Sequence, residues 1–178
     1  RYDQGEAKTL PPGLEEFLNA GEPPVVVTFG SAMRQGRPYF EAAVEACRRI
    51  GNRSLILAKG GEQIPANLPE GCRQFDYAPF SLVFPRAAAV IHHGGIGTTA
   101  QALAAGVPQF VMPLAFDQPD NAHSLERLGV AQRELRRALA ARLVQPCNIR
   151  PDRAQSLCRV VDDGPGARCR RLDRRDPR

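Results

Sequence analysis

Short, continuous apolar segments alternate along the chain with segments in which apolar residues recur at helical spacing. These apolar segments lie at residues 25–29, 55–58, 89–92 and 109–112, and residues 72–77 show a weaker strand pattern. Continuous runs rich in Val, Ile and Leu are typical of strands that are buried on both faces of a sheet. The pattern therefore predicts five strands.

Helical patterns separate these strands. Phe40, Val44, Cys47 and Ile50 recur every three or four residues after Pro38, which predicts a helix there. Further helical segments are predicted at residues 14–18, 82–86, 97–105 and 120–128. Strands that alternate with helices over short loops predict an α/β fold, in which a Rossmann-like parallel sheet carries helices on both faces.

Composition divides the 178 residues into three segments. Residues 1–22 are polar and are interpreted as a connector, and residues 23–141 hold the predicted sheet. Residues 142–178, with scattered Pro, Cys and Arg, are interpreted as a basic tail without regular structure. An arginine-rich tail can bind nucleic acid or anionic lipid. No aromatic residues alternate with these arginines, so we expect a solvent-exposed tail and no nucleic-acid partner.

Composition also disfavours two classes of protein. The longest uncharged run, residues 87–116, is interrupted repeatedly by Gly and Pro, which argues against a membrane span. The five cysteines are odd in number and form no C-x-x-C pair, so neither a zinc site nor a disulfide framework is predicted. No secretory signal is recognised at the start of the chain. We therefore expect reduced thiols, no metal and a cytoplasmic location, with peripheral contact to a membrane left open.

Ligands of open α/β sheets bind beyond the carboxyl ends of the strands. Three loops in such positions carry suitable chemistry: Gly30-Ser31, residues 92–99 and residues 113–121. His92, the last residue of its predicted strand, is interpreted as a residue that orients the strand end or as a hydrogen-bonded histidine of the core. The site is therefore expected in the loops that follow the strands.

The second of these loops is rich in glycine and begins a helix. Its glycines are Gly94, Gly95 and Gly97. They would let backbone N–H groups approach an anion at the positive end of the helix, and His93, Thr98 and Thr99 would add donors. These features predict a diphosphate site, although the spacing matches neither a P-loop nor G-x-G-x-x-G.

Several spaced motifs between residues 76 and 121 together resemble the donor-binding signature of the UDP-glycosyltransferase superfamily. The motifs are Ala78-Pro79, Pro85-Arg86-Ala87, the segment from His92 to Thr99, Gly106-Val107-Pro108 and Phe116-Asp117-Gln118-Pro119-Asp120-Asn121. Thr28-Phe29-Gly30-Ser31 resembles the first strand of that family's C-terminal domain. The resemblance covers residues 11–131 and is greatest to the sterol, lipid and macrolide glycosyltransferases of bacteria and fungi.

The resemblance implies a GT-B glycosyltransferase built from two Rossmann-like domains, of which this chain resembles the C-terminal, nucleotide-sugar-binding half. It implies a UDP-hexose donor, inversion at the sugar, no metal or cofactor, and a lipid-like or small hydrophobic acceptor. The general base and the acceptor pocket would belong to the N-terminal domain. This chain alone is therefore expected to bind the donor without catalysing transfer.

The same resemblance implies a role for each site residue. The diphosphate would be held by Ser31, His93, Gly95, Gly97 and Thr98, and Gly30 and Gly94 would belong to the same donor-binding site. The histidine would also support the leaving diphosphate. The base would lie beside Tyr77 and Ala78, and the ribose beside Gln101, where many members have Glu. Asp117 with Gln118 would hydrogen-bond the hexose hydroxyls, the other interpretation of Asp117 being a helix cap.

Other functions remain open from the sequence. The chain could be the separate donor subunit of a two-chain glycosyltransferase, in which case activity would require a partner. It could be a non-catalytic nucleotide-sugar binder, or it could bind nucleic acid through the arginine-rich tail. A sugar-nucleotide epimerase shares the fold, but Phe116-Asp117-Gln118 fits a transferase better.

Overall fold

The computed structural model describes residues 9–30, 36–59 and 61–133, which form a six-stranded parallel sheet. The strands are β1 (Val25–Thr28), β2 (Ser54–Leu57), β3 (Cys72–Phe75), β4 (Ala89–His92), β5 (Gln109–Val111) and β6 (Ala131–Arg133). The helices are α1 (Leu14–Asn19), α2 (Arg37–Arg49), α3 (Phe80–Val83), α4 (Ile96–Ala104) and α5 (Gln118–Leu128), with a 3-10 turn at Phe84–Arg86. The spatial order is β3-β2-β1-β4-β5-β6. The predicted Rossmann-like α/β fold is confirmed.

Successive residues of the central strands enter two apolar clusters, one on each face of the sheet. Val25 and Val27 of β1 belong to the cluster that contains Phe40 and Cys47 of α2. Val26, between them, belongs to the cluster formed with residues of α1, α3 and α4. Because both faces are covered, every position of a central strand is buried and favours an apolar residue. This arrangement explains the continuous apolar runs in the sequence.

The structure differs from the sequence prediction mainly at the ends of elements. β3 ends at Phe75. α5 begins at Gln118 and has Pro119 in its first turn, where a backbone N–H has no partner within the helix, so its absence from proline costs no hydrogen bond. β6 is absent from the prediction. It pairs in parallel with β5 through Gln109 and Ala131. A three-residue edge strand has no continuous apolar run by which the sequence could reveal it.

Part of the segment predicted as a connector packs against the sheet. Leu14 and Leu18 of α1 are buried in the second apolar cluster. The Arg53 guanidinium, which precedes β2, lies 4.1 Å from the centre of the Phe17 ring and donates to the carbonyl of Phe17. These contacts fix α1 to the amino-terminal edge of the sheet. The basic tail predicted at residues 142–178 lies outside the described residues.

The order of the strands places two loops side by side. From β1 the chain continues to β2 on one side, whereas β4 lies on the other side of β1. Thr28 and His92, the last residues of β1 and β4, are partners in the sheet. The loops that follow them therefore adjoin at the switch point, where open α/β sheets bind their ligands.

Candidate functional site

His92 is a fully buried part of the loop between β4 and α4. Its Nδ1 accepts a hydrogen bond from the Gly94 N–H at 3.1 Å, so its Nε2 carries the proton and donates to Oε1 of Gln109 at 2.9 Å. Burial lowers the pKa of His92 to about 4, and the ring is neutral at pH 7. The interpretation of His92 as a hydrogen-bonded histidine of the core is confirmed.

His93, the next residue, faces the loop that follows β1. A Cβ atom on Gly30 would lie 2.9 Å from Cε1 of His93, and one on Gly95 would lie 2.5 Å from Nε2. Only glycine leaves room for the imidazole at these two positions, and Gly30 also has a φ of +79°. The structure therefore brings Gly30, His93 and Gly95 together, as the prediction of one anion site requires.

The His93 imidazole is half-buried, and its Nδ1 is buried with no hydrogen-bond partner among the described residues. Burial lowers the pKa of this ring, and the carboxylate of Asp117 acts in the opposite direction. Buried polar atoms in folded proteins are nearly always hydrogen-bonded. An unsatisfied nitrogen beside two glycines is therefore a candidate contact for a ligand.

The first turn of α4 adjoins the His93 ring. Gly95 occupies the N-cap position and has no side chain to bond the first N–H groups of the helix. Gly97 and Thr98 follow in this turn and are partly exposed. The positive end of a nine-residue helix thus opens onto the predicted diphosphate position.

The loop after β5 brings Asp117 and Gln118 to the same edge of the sheet. Asp117 is exposed, and its Oδ2 accepts from Nδ2 of Asn121 at 2.8 Å. Oε1 of Gln118 accepts from the N–H groups of Leu114 and Ala115 at 2.8 and 3.0 Å. Because that oxygen holds the loop, any contact between Gln118 and a sugar would fall to its Nε2.

Phe116, which precedes Asp117, is unusual in both backbone and exposure. Its φ is +59°, and no other described residue except glycine has a positive φ. Its side chain is 92% exposed. Backbone strain of this kind is often found at functional sites, where the surrounding structure enforces it. No feature of the sequence indicates this conformation.

A cavity of about 380 Å³ lies at the carboxyl ends of β1, β2 and β3. It brings together five of the predicted site residues, which are Gly30, Tyr77, Ala78, Thr98 and Gln101. The remaining lining residues, for which no site role was predicted, are Thr28, Phe40, Leu57, Ala58, Lys59, Gln63, Asp76 and Phe80. Mostly apolar walls with a few polar groups are typical of small-molecule sites.

Two of the missed residues, Lys59 and Gln63, follow β2. Oε1 of Gln63 accepts from the Gly36 N–H at 3.0 Å and so ties the loop after β2 to the start of α2. The signal that could have found them is their position just beyond the carboxyl end of a central strand. Ser31, which was predicted to contact the diphosphate, lies outside the described residues.

Among residues 9–30, 36–59 and 61–133, no three His, Cys, Asp or Glu side chains are grouped so that they could bind a metal ion. No helix in these ranges is both long enough and apolar enough to span a membrane. The absence of a metal or a cofactor from the site stays a prediction.

Comparison with known proteins identifies relatives of this chain. The family described as Erythromycin biosynthesis protein CIII-like, C-terminal domain, matches residues 54–168. An O-mycaminosyltylonolide 6-deoxyallosyltransferase from Streptomyces fradiae is 39% identical over 163 residues, which cover 90% of this chain and 36% of that protein. A vancomycin aglycone glucosyltransferase from Amycolatopsis orientalis is 40% identical over 130 residues, covering 70% and 30%. The chain thus spans about a third of the length of these relatives.

Solved structures resemble the same region. The glycotransferase of kitacinnamycin is 27% identical with a TM-score of 0.67, and the match covers 89% of this chain and 42% of that one. A UDP-glucose: anthocyanidin 3-O-glucosyltransferase, solved in complex with UDP, has a TM-score of 0.74 over 91% of this chain and 41% of that one. Its identity is 18%, so this second likeness shows the fold alone.

Proposed function

Because the chain belongs to the Erythromycin biosynthesis protein CIII-like C-terminal domain family, and the relatives it matches are glycosyltransferases, we propose that it binds the nucleotide-sugar donor of a hexosyltransferase. One observation carries the proposal: the cavity is lined both by Gly30, on which a Cβ would meet the His93 ring, and by Thr98 in the first turn of α4. A nucleoside in the cavity would therefore present its diphosphate to His93 and to the first turn of α4.

The cavity suits a nucleoside such as uridine. Its wall includes apolar groups of Phe40, Leu57 and Ala78, and the half-exposed Tyr77 ring offers a surface on which a base can stack. Gln101 carries both a donor and an acceptor for the ribose hydroxyls, without the charge of a glutamate. We therefore favour a UDP-linked hexose as the donor, and no metal or other cofactor enters the proposal.

The diphosphate would be the leaving group of the transfer reaction. Negative charge develops on it as the bond to the sugar breaks, and preorganised donors at that position stabilise the transition state. The His93 imidazole and the first-turn amides of α4 supply such donors. Burial lowers the pKa of His93 and so favours the neutral ring, which can still donate one hydrogen bond to the diphosphate.

The hexose would lie between the diphosphate and the loop after β5. The Asp117 carboxylate accepts hydrogen bonds from hydroxyls, and Nε2 of Gln118 can donate to them. The exposed Phe116 ring beside Asp117 favours a hydrophobic acceptor, attacked with inversion at the sugar. This acceptor would be held together with a second domain or subunit. The proposal includes a cytoplasmic location and no nucleic-acid partner.

Isothermal titration calorimetry of this chain with UDP, dTDP, GDP, UDP-glucose and dTDP-glucose tests the proposal. We expect uridine or thymidine ligands to bind, and His93→Ala to weaken all of them by about tenfold or more. Asp117→Ala is expected to weaken the sugar conjugates alone. His123→Ala, on the exposed surface of α5, is the matched control and should bind like the original chain.

Three results would contradict the proposal. One is the absence of binding by every nucleotide. A second is equal binding by the original chain and by His93→Ala, because the ligand would then not occupy the glycine loop. A third is salt-sensitive retention of RNA in place of the nucleotides, which would favour the nucleic-acid alternative.

A further inference from the structure

The side-chain amide of Asn121 joins the two loops that border the proposed sugar position. Its Nδ2 donates to the Gly94 carbonyl at 2.9 Å and to Oδ2 of Asp117 at 2.8 Å. A primary amide nitrogen carries two hydrogens, so both donors are used. The opposite orientation would place the amide oxygen against two acceptors, so the orientation of this side chain is fixed by its partners.

Asp117 stands at the N-cap position of α5 but does not cap the helix. An aspartate at this position ordinarily accepts from the N–H groups of the first turn. Here the carboxylate makes no such bond and accepts from Asn121 instead. The position of the carboxylate is therefore set by a side chain that also contacts the glycine loop.

The identity of residue 121 is not explained by helix formation. It lies inside α5, where asparagine is less favourable than alanine. The buried contacts of this helix come from its neighbours Ala122 and Leu125. The two loops already touch, because a Cβ on Gly94 would lie 3.2 Å from the Gln118 carbonyl oxygen. The Asn121 amide adds to this contact a hydrogen bond that orients the Asp117 carboxylate.

We propose that Asn121 is a positioning residue that fixes the Asp117 carboxylate relative to the glycine loop, so that one nucleotide sugar contacts both. This inference rests on the proposed function. With Oδ2 engaged by Asn121, Oδ1 of Asp117 is the acceptor for a sugar hydroxyl. Asn121 would then act on the sugar through Asp117 and would contribute little to the binding of the nucleotide alone.

A double-mutant cycle on this chain tests that dependence. The quantity measured is the ratio of the dissociation constants of UDP and UDP-glucose, with dTDP and dTDP-glucose as a second pair. Asn121→Ala is expected to raise the dissociation constant of UDP-glucose about tenfold relative to that of UDP. Asp117→Ala should do the same, and the double variant should show no further loss because the two residues act as one unit.

The controls separate this inference from the proposed function. Ser124→Ala, on the exposed side of the same helix, should leave the ratio unchanged. If Asn121→Ala fails to fold, Asn121→Ser keeps one donor and enters the same cycle. Additive losses, or an equal loss of UDP and UDP-glucose, would overturn the positioning role while the proposed function stands. Failure of the original chain to bind any nucleotide would overturn both.

Discussion

The two adjacent histidines of the loop after β4 have opposite environments. His92 points into the protein, is fully buried, and has both ring nitrogens hydrogen-bonded, to Gln109 and to the Gly94 amide. His93 is half-buried between Gly30 and Gly95, and its Nδ1 has no partner among the described residues. One residue type thus occurs in two states of hydrogen bonding at consecutive positions.

The difference separates the part of the loop that builds the structure from the part available to a ligand. A satisfied buried group fixes the backbone, and here His92 holds Gly94 in a conformation with a φ of +91°. An unsatisfied nitrogen costs stability unless something else binds it. The inner histidine is therefore expected to govern folding and the outer one to govern binding.

The largest expected effect is the difference in the free energy of unfolding between substitutions of the two histidines. His92→Ala removes two buried hydrogen bonds, leaves the Gly94 amide and the Gln109 side chain unsatisfied, and opens a cavity. We expect the free energy of unfolding to fall by about 4 kcal/mol. His93→Ala should cost less than about 1 kcal/mol. Urea denaturation followed by circular dichroism measures both, and equal losses would contradict the division between the two residues.

A second, smaller effect concerns the dependence of stability on pH. The pKa of His92 is about 4 in the folded state, because of burial, against 6.5 in a free side chain. Between these values the unfolded chain binds a proton that the folded chain does not. As the pH falls from 6.5 to 4, this residue is expected to lower the free energy of unfolding by about 3 kcal/mol.

Urea denaturation at several pH values tests this expectation, with His92→Gln as the variant that cannot titrate. The variant should lose most of the pH dependence between pH 6.5 and 4.5, whereas the exposed-site variant His123→Gln should keep it. His93 contributes in the same direction, since burial also lowers its pKa. A pH dependence that His92→Gln leaves unchanged would show that the buried ring is not the titrating group.

The sequence predicts best those features that depend on burial or on backbone chemistry. The strands appear as apolar runs because both faces of the sheet are covered. Glycines in the loop after β4 indicate close packing, and a Cβ on Gly95 would lie 2.5 Å from Nε2 of His93, whereas the anion site itself stays a prediction. His92 could be assigned a buried role because it ends such a run.

Features that depend on contacts between distant loops could not be predicted in this way. Lys59 and Gln63 line the cavity only because the sheet order places the end of β2 next to β1. The bond of Gln118 to its own loop and the bridge made by Asn121 depend on side-chain directions that spacing does not specify. Such contacts decide which atoms of a motif remain available to a ligand.

The loop after β5 repeats the contrast between an inner and an outer residue, and it carries the smallest expected effect. Gln118 is buried and holds the loop, whereas Phe116 is 92% exposed at a φ of +59°.

Phe116→Asn places in this conformation a residue that tolerates it, and it removes little buried surface. We expect the free energy of unfolding to rise by up to about 1 kcal/mol. Leu128→Asn, a matched change at an exposed helical position, should lower it slightly. Destabilisation by Phe116→Asn in the same urea titration would mean that the ring contributes to folding, and the comparison between inner and outer residues would then fail in this loop.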